Sequence, residues 1–194
     1  MIGSLGPENY HVYGGMMKLF DKAKRKDHEA FEILLRDELP GMYRVAHSIL
    51  QNDEDVADAI QETMLKCWEK IHTLKKPAFF RTWLIRILIN NCNDILRKRK
   101  NTVSFDDIPD IPTTDKYFSD NWKDTIRCLD EKYRLVIELY YVEELPTREI
   151  ARLIGISDEN VRSRLSRGRK QLQMIVKESS EEETHEYKRV YGDQ

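Results

Sequence analysis

The chain has 194 residues, 40% of them hydrophobic and 34% charged, with a formal net charge of -2 at pH 7. This composition excludes a disordered polyelectrolyte and leaves room for one ordinary domain or two small ones. No apolar run approaches the about 18 residues needed to cross a bilayer, and the first residues lack the basic-then-apolar order of a secretory signal, so a cytoplasmic protein without membrane insertion is expected.

Residues 1 to 15 hold four of the eight glycines, show no hydrophobic period and precede the pair Met16 and Met17. Residues 1–26 are therefore expected to be a partly disordered N-terminal extension, dispensable as far as residue 15. From Asp27 the pattern turns helical: Phe31, Leu34, Leu35, Leu39, Met42, Ala46 and Ile49 recur at three- and four-residue steps, interrupted at Pro40. Asn52 and Asp53 punctuate that run, and Val56, Ile60, Met64, Cys67, Trp68 and Ile71 form the apolar stripe of a second helix. After a break at Lys75, Lys76 and Pro77, a third helix from about Phe79 to Lys98 carries Phe80, Trp83, Leu84, Ile87, Leu88 and Ile95 as its apolar set.

The stretch from Lys100 to Asp120 has two prolines, five aspartates and no sustained period. It reads as a linker at 101–120 between a first domain at 27–100 and a second at 121–176. In the second, Ile126, Leu129, Tyr133, Val136, Leu139 and Tyr140 trace one amphipathic helix, and two shorter helices follow, ending near Val176. Residues 177–194, which open KESSEEE, read as a mobile acidic tail. No strand-like alternation persists, so the expected class is all-α: two small helical domains joined by a flexible linker. Cys67, Cys92 and Cys128 are odd in number, widely spaced and free of any CxxC or Cys/His pairing, and are read as buried thiols.

The stretch VRSRLSRGRK, Val161 to Lys170, places five permanent cations in ten residues of an acidic chain. Upstream of it, Ala151, Gly155 and Val161 stand four and six residues apart, the spacing of a helix-turn-helix. A small residue at 151 lets two helices cross closely, Gly155 can end the first helix in the left-handed conformation, and Val161 faces the shared core. Ser157 is placed to cap the second helix, with Asp158 and Glu159 in its first turn. At 100° per residue, Val161, Leu165, Gly168, Leu172 and Ile175 fall on one side. Ser163, Ser166, Arg167 and Lys170 fall opposite, with Arg162 and Arg169 on one flank and Arg164 on the other. Such a face suits a major-groove reader in which Arg162, Ser163, Ser166 and Arg167 reach base edges while Arg164, Arg169 and Lys170 hold phosphate.

With these motifs the chain resembles the extracytoplasmic-function sigma factors, the small promoter-recognition subunits of bacterial RNA polymerase. Asp58 to Trp68, DAIQETMLKCW, is similar to the family's DxxQExFxxxW segment, and Phe80 to Asn90, FRTWLIRILIN, to its FxxWLxxIxxN segment. The helix-turn-helix follows in the family's order. The resemblance covers about residues 27 to 176 and implies a sigma region 2 helical bundle and a sigma region 4 helix-turn-helix. It implies that Asp58, Gln61 and Glu62 contact the clamp helices of the beta-prime subunit, and that Asn90 and the loop from His72 to Pro77 read a displaced minus-ten base. Leu74 stands in that loop where the family often has an aromatic. Arg81, Arg86, Arg97 and Lys98, together with Arg99 and Lys100, would supply charge to the DNA backbone there, and the basic face of the helix-turn-helix would dock on the minus-thirty-five element.

The partners implied are core RNA polymerase, through the beta-prime clamp helices and the beta flap, promoter DNA, and an anti-sigma factor able to hold the protein near the membrane. The implied role is promoter-directed initiation in a stress or envelope response. Two other classes fit parts of the pattern. A helix-turn-helix regulator that does not bind core polymerase would need a ligand pocket in its N-terminal half, and none is advertised. An enzyme using Asp53, Asp55, Asp58 and Glu62 as metal ligands would need the glycine and spacing of a calcium loop, or an HExxH or ExxH pair. No catalytic residue, metal or cofactor is expected.

Overall fold

The computed structural model describes residues 7–102 and 126–191, with side chains at 15–99 and 126–177. Every element among the described residues is helical, and the chain packs as two compact units, Met1–Arg97 and Lys98–Gln194.

The first unit contains α1 (Pro7–Lys24), α2 (His28–Arg36), α3 (Leu39–Leu50), α4 (Asp53–Lys70) and most of α5 (Phe80–Thr102), whose last residues run past the unit's boundary at Arg97, with 3-10 turns at Ile71–Thr73 and Pro77–Phe79. Its helix starts are written locally. Asp27 accepts a hydrogen bond from the Ala30 amide at 3.1 Å, and Asn52 accepts one from the Asp55 amide at 3.1 Å, each satisfying a donor the helix leaves orphaned. Pro40 sits in the first turn of α3, where its missing amide hydrogen costs nothing, so it begins a helix and separates α2 from α3. Met42, Val45, Val56, Ala59, Leu84 and Leu88 form the buried centre.

Two expectations change in this unit. The domain does not begin at Asp27: Phe20 is 1% exposed, its ring meets Phe80 edge-on at 6.3 Å, and α1 packs along α2. The extension read over residues 1–26 is therefore a core helix at its C-terminal half, hidden from pattern reading because Lys and Asp surround its few apolar residues. Residues 1–6 lie outside the described residues. The buried line of α4 runs through Val56, Ala59, Thr63 and Cys67 and continues to Ile71 in the 3-10 turn, while Ile60 and Met64 sit only half-buried. Small side chains at 59 and 63 let α4 approach its neighbours, so the larger residues are displaced to the margin. The expected linker lies outside the described residues except at Asn101 and Thr102, which extend α5.

The second unit contains α6 (Glu131–Ile137), a π turn at Glu138–Val142, α7 (Thr147–Ile154) and α8 (Asp158–Tyr191). The single helix expected from Ile126 to Tyr140 is broken by a turn before Asp130. Arg134, nearly fully buried, closes that break by donating to the carbonyls of Ile126 at 3.3 Å and Leu129 at 2.9 Å. Desolvation lowers its pKa from the ordinary guanidinium value. Tyr140 lies on the π turn and is exposed, not core. Nor does the last helix stop near Val176, for α8 continues to Tyr191. No glycine or proline occurs between Gly168 and Gly192, and the Glu- and Lys-rich sequence expected to be a mobile tail has high helix propensity.

Cys67 and Cys92 are buried as expected, and burial pushes both thiols up to about 12. Cys128 is exposed, contrary to the sequence reading, because the turn that breaks the helix carries it outward. In the native protein at pH 8 a chromogenic disulfide reagent should therefore modify one thiol quickly, with the other two reacting only after denaturation. Fast reaction of two or three thiols in the native protein would contradict this packing.

Candidate functional site

The α4 helix presents Asp58, Gln61, Glu62 and Glu69 to solvent, and steps of three and four put Asp58, Glu62 and Glu69 along one face. Leu65 lies on the same face and is 61% exposed. Glu62 pairs with Lys66 at 3.1 Å. Asp53, by contrast, faces α3, where the Tyr43 hydroxyl donates to it at 2.9 Å. Among the described residues no three Asp, Glu, His or Cys side chains converge as metal ligands would.

On α5, Arg86, Asn90, Asn93 and Arg97 follow one another at four, three and four residues and are all exposed, so three of the residues expected at a minus-ten site share one stripe. Asn93 joins them. Lys98 is exposed one position further along the same helix. Arg97 is paired with Asp94 at 2.6 Å, which sets its guanidinium beside the stripe. Arg81 is not part of it: its Nε lies 3.6 Å from a Glu38 carboxylate oxygen, on the side facing the start of α3. The loop after α4 is closed by hydrogen bonds from the Leu74 amide to the Ile71 carbonyl at 3.1 Å and from the Phe79 amide to the Lys76 carbonyl at 3.1 Å. Lys24 of α1 donates to the Leu74 carbonyl at 3.1 Å and braces the loop. Leu74 is itself half-buried, while Lys75, Lys76 and Phe79 are exposed.

The amides of the run from Asn90 to Asn93 have two different explanations. Asn90 and Asn93 face outward, whereas Asn91 is buried and hydrogen-bonds into α4. Asn91 is a polar residue placed inside the bundle, where it satisfies a neighbour.

In the second unit the turn between α7 and α8 has the expected chemistry. Gly155 takes the left-handed conformation at φ 71°, ψ 34°, and its amide bonds the Ala151 carbonyl. Ser157 accepts from the Asn160 amide at 3.2 Å, and Asp158 and Glu159 occupy the first turn of α8. Val161, Leu165, Gly168 and Ile175 are buried. A side chain at Gly168 would meet Ile137 at 3.0 Å and the Tyr133 Cβ at 3.2 Å, so glycine is what lets α8 lie this close to α6. On the other side Arg162, Ser166, Arg167, Arg169 and Lys170 are exposed, and Ser163 and Arg164 half-exposed.

The cations differ in their tethers. Arg162 is held by Asp158 at 2.8 Å within its own helix. Arg169 donates to the Tyr141 hydroxyl at 3.3 Å, and Tyr141 meets Tyr140 edge-on with centroids 4.9 Å apart. Sequence reasoning did not single out Tyr141, whose place on the π turn beside α8 depends on the folded chain.

Two family profiles match the chain: sigma-70 region 2 over residues 34–102 and sigma-70 region 4 over residues 119–172. The RNA polymerase sigma factor SigV of Bacillus subtilis is 33% identical over 141 residues, covering 70% of this chain and 84% of that protein. The ECF RNA polymerase sigma factor SigW of the same species is 26% identical over 180 residues, covering 83% and 96%. Among solved structures, the sigma factor RpoE of Bartonella quintana, crystallised with the anti-sigma factor NepR, shares the fold at a TM-score of 0.59 and 23% identity, covering 75% of this chain and 98% of that one. The two matched regions stand in the same order as the two sets of surfaces, and the chain belongs to the extracytoplasmic-function family of RNA polymerase sigma factors.

Proposed function

We infer that the chain is a transcription initiation factor that binds core RNA polymerase and directs it to promoters, acting by recognition rather than catalysis. The observation that carries this reading is the two-sided α8, with Val161, Leu165 and Gly168 packed inward and Ser163, Ser166, Arg167 and Lys170 turned outward on a capped helix-turn-helix. Arg162, Ser163, Ser166 and Arg167 read bases of the minus-thirty-five element, and Arg164, Arg169 and Lys170 grip phosphate. Arg86, Asn90, Arg97 and Lys98, with the loop around Leu74, engage the opened minus-ten element, where exposed amides and cations suit a displaced strand. The position of Arg81 beside Glu38 favours a structural role for it. Asp58, Gln61 and Glu62, joined by Leu65, dock on the clamp helices of the beta-prime subunit. The region 4 unit meets the beta flap. A protein antagonist of the anti-sigma kind, a cytoplasmic site of action and a stress or envelope stimulus complete the proposal.

Run-off transcription tests it. Bacterial core polymerase with the full chain should yield discrete transcripts from the DNA upstream of the chain's own gene, and core polymerase alone should yield none. DNA binding without transcripts or core association would favour the regulator reading instead.

A further inference from the structure

A row of polar groups runs through the contact between α4 and α5 and ends on the exposed acidic face. The Thr63 hydroxyl, fully buried, donates to the Ala59 carbonyl at 2.6 Å. Its oxygen accepts from the Asn91 side-chain nitrogen at 2.8 Å, and Asn91 is 4% exposed. The Asn91 side-chain oxygen accepts from the Lys66 ammonium at 2.6 Å, and that ammonium lies 3.1 Å from Glu62, whose side chain is 52% exposed.

The donor order allows one arrangement. With the Thr63 proton committed to Ala59, only the nitrogen of Asn91 can face Thr63, so only its oxygen can face Lys66. The amide cannot flip without leaving two buried groups unmatched. A Glu and Lys four residues apart on a helix surface are held weakly, worth about 0.3–0.5 kcal/mol, and would not fix either side chain alone. A second acceptor, buried and oriented from behind, changes that for Lys66.

We propose that Asn91 is a positioning residue: it pins the Lys66 ammonium and, through it, sets the Glu62 carboxylate on the face that α4 offers to core polymerase. This rests on the reading of that face as the polymerase-docking surface. Glu62 then meets its partner already ordered, and the conformational freedom it would otherwise lose on docking is given up during folding. Lys66 serves as a fixed strut within the face rather than as a cation for DNA.

The test is a double-mutant cycle on the affinity of the full chain for core polymerase, with thermal melting followed in parallel. Asn91→Leu removes both side-chain hydrogen bonds with a side chain of similar branched shape, and should weaken core binding about three- to ten-fold, the range expected for one long side chain released to disorder. In a Glu62→Ala background the same substitution should change binding less than two-fold, because the carboxylate it positions is gone. A general loosening of the domain would weaken both backgrounds alike. If Asn91→Leu does not fold, Lys66→Met carries the same cycle, and the same non-additivity is expected. An undiminished effect in the Glu62→Ala background overturns the positioning role while the docking face stands. Unchanged binding by Glu62→Ala alone would instead overturn the docking face, and the positioning role with it.

Discussion

Reversing Asp58 and Glu62 together to Lys is expected to abolish binding of the full chain to core polymerase while leaving its helical circular dichroism unchanged. Both residues lie outside the core on the solvent side of α4, so the fold loses no buried contact. The local cost is small: a lysine at 62 would stand beside Lys66 in place of a paired carboxylate, a change of a few tenths of a kcal/mol on an exposed helix face. At an interface the same change acts twice, first by removing an attraction and then by placing like charges together. Like-charge juxtaposition costs several kcal/mol, so a loss of more than about a hundred-fold in affinity is expected. Leu65 should remain exposed in the variant, and apolar contact alone does not rescue docking with the wrong charge around it. Pull-down of core polymerase at moderate salt decides the matter, and retention equal to that of the parent chain would refute the assignment of this face.

The second large effect concerns α8 and separates reading from gripping. Arg167→Ala should cost about 1–3 kcal/mol on the preferred promoter and little on a scrambled sequence, because a guanidinium that pairs with a base edge contributes only where that base is present. Arg169→Ala should weaken both DNAs alike and reduce the salt slope by about one unit, as expected for the loss of one phosphate contact. The structure adds a reason for the difference. Arg169 is steered along the flank of the helix by its bond to Tyr141, whereas Arg167 stands on the outward face, one turn on from Ser163. Arg162 must leave Asp158 to reach a base, and its replacement should therefore cost less than that of Arg167. Binding to both DNAs across a salt series is the measurement. Equal weakening of both by Arg167→Ala would mean that the helix grips without reading.

Local chemistry was legible in the sequence to the extent that its effects are local. The all-α class follows from three- and four-residue periodicity, and the helix-turn-helix from the left-handed turn at Gly155, the cap at Ser157 and the inward line of Val161, Leu165 and Gly168. Each of these is set within a few residues of chain, so no distant partner can alter it. The polar face of α4 was legible for the same reason, since a helix of known phase shows which residues lie together.

What only the tertiary structure decided depends on partners far away in sequence. Phe20 belongs to the core because Phe80 stands sixty residues on, and nothing near Phe20 reveals that ring. Leu65 was counted neither as core nor as surface, and its exposure follows from α4 turning Ala59 and Thr63 inward. Asn91 looked like one amide in a run of three, and its burial against Thr63 and Lys66 required the crossing of α4 and α5. Cys128 came out of the core because Arg134 closes a turn where periodicity read an unbroken helix. Between Asp27 and Val176 the sequence thus determined by itself that the segments are helical and which faces carry charge, because propensity, capping and periodicity act over one or two turns; it did not reveal α1 or the continuation of α8 to Tyr191. It left open which margin of each helix is buried, where a helix breaks and which polar side chains meet, because those are settled by close packing between elements that only the folded chain brings together.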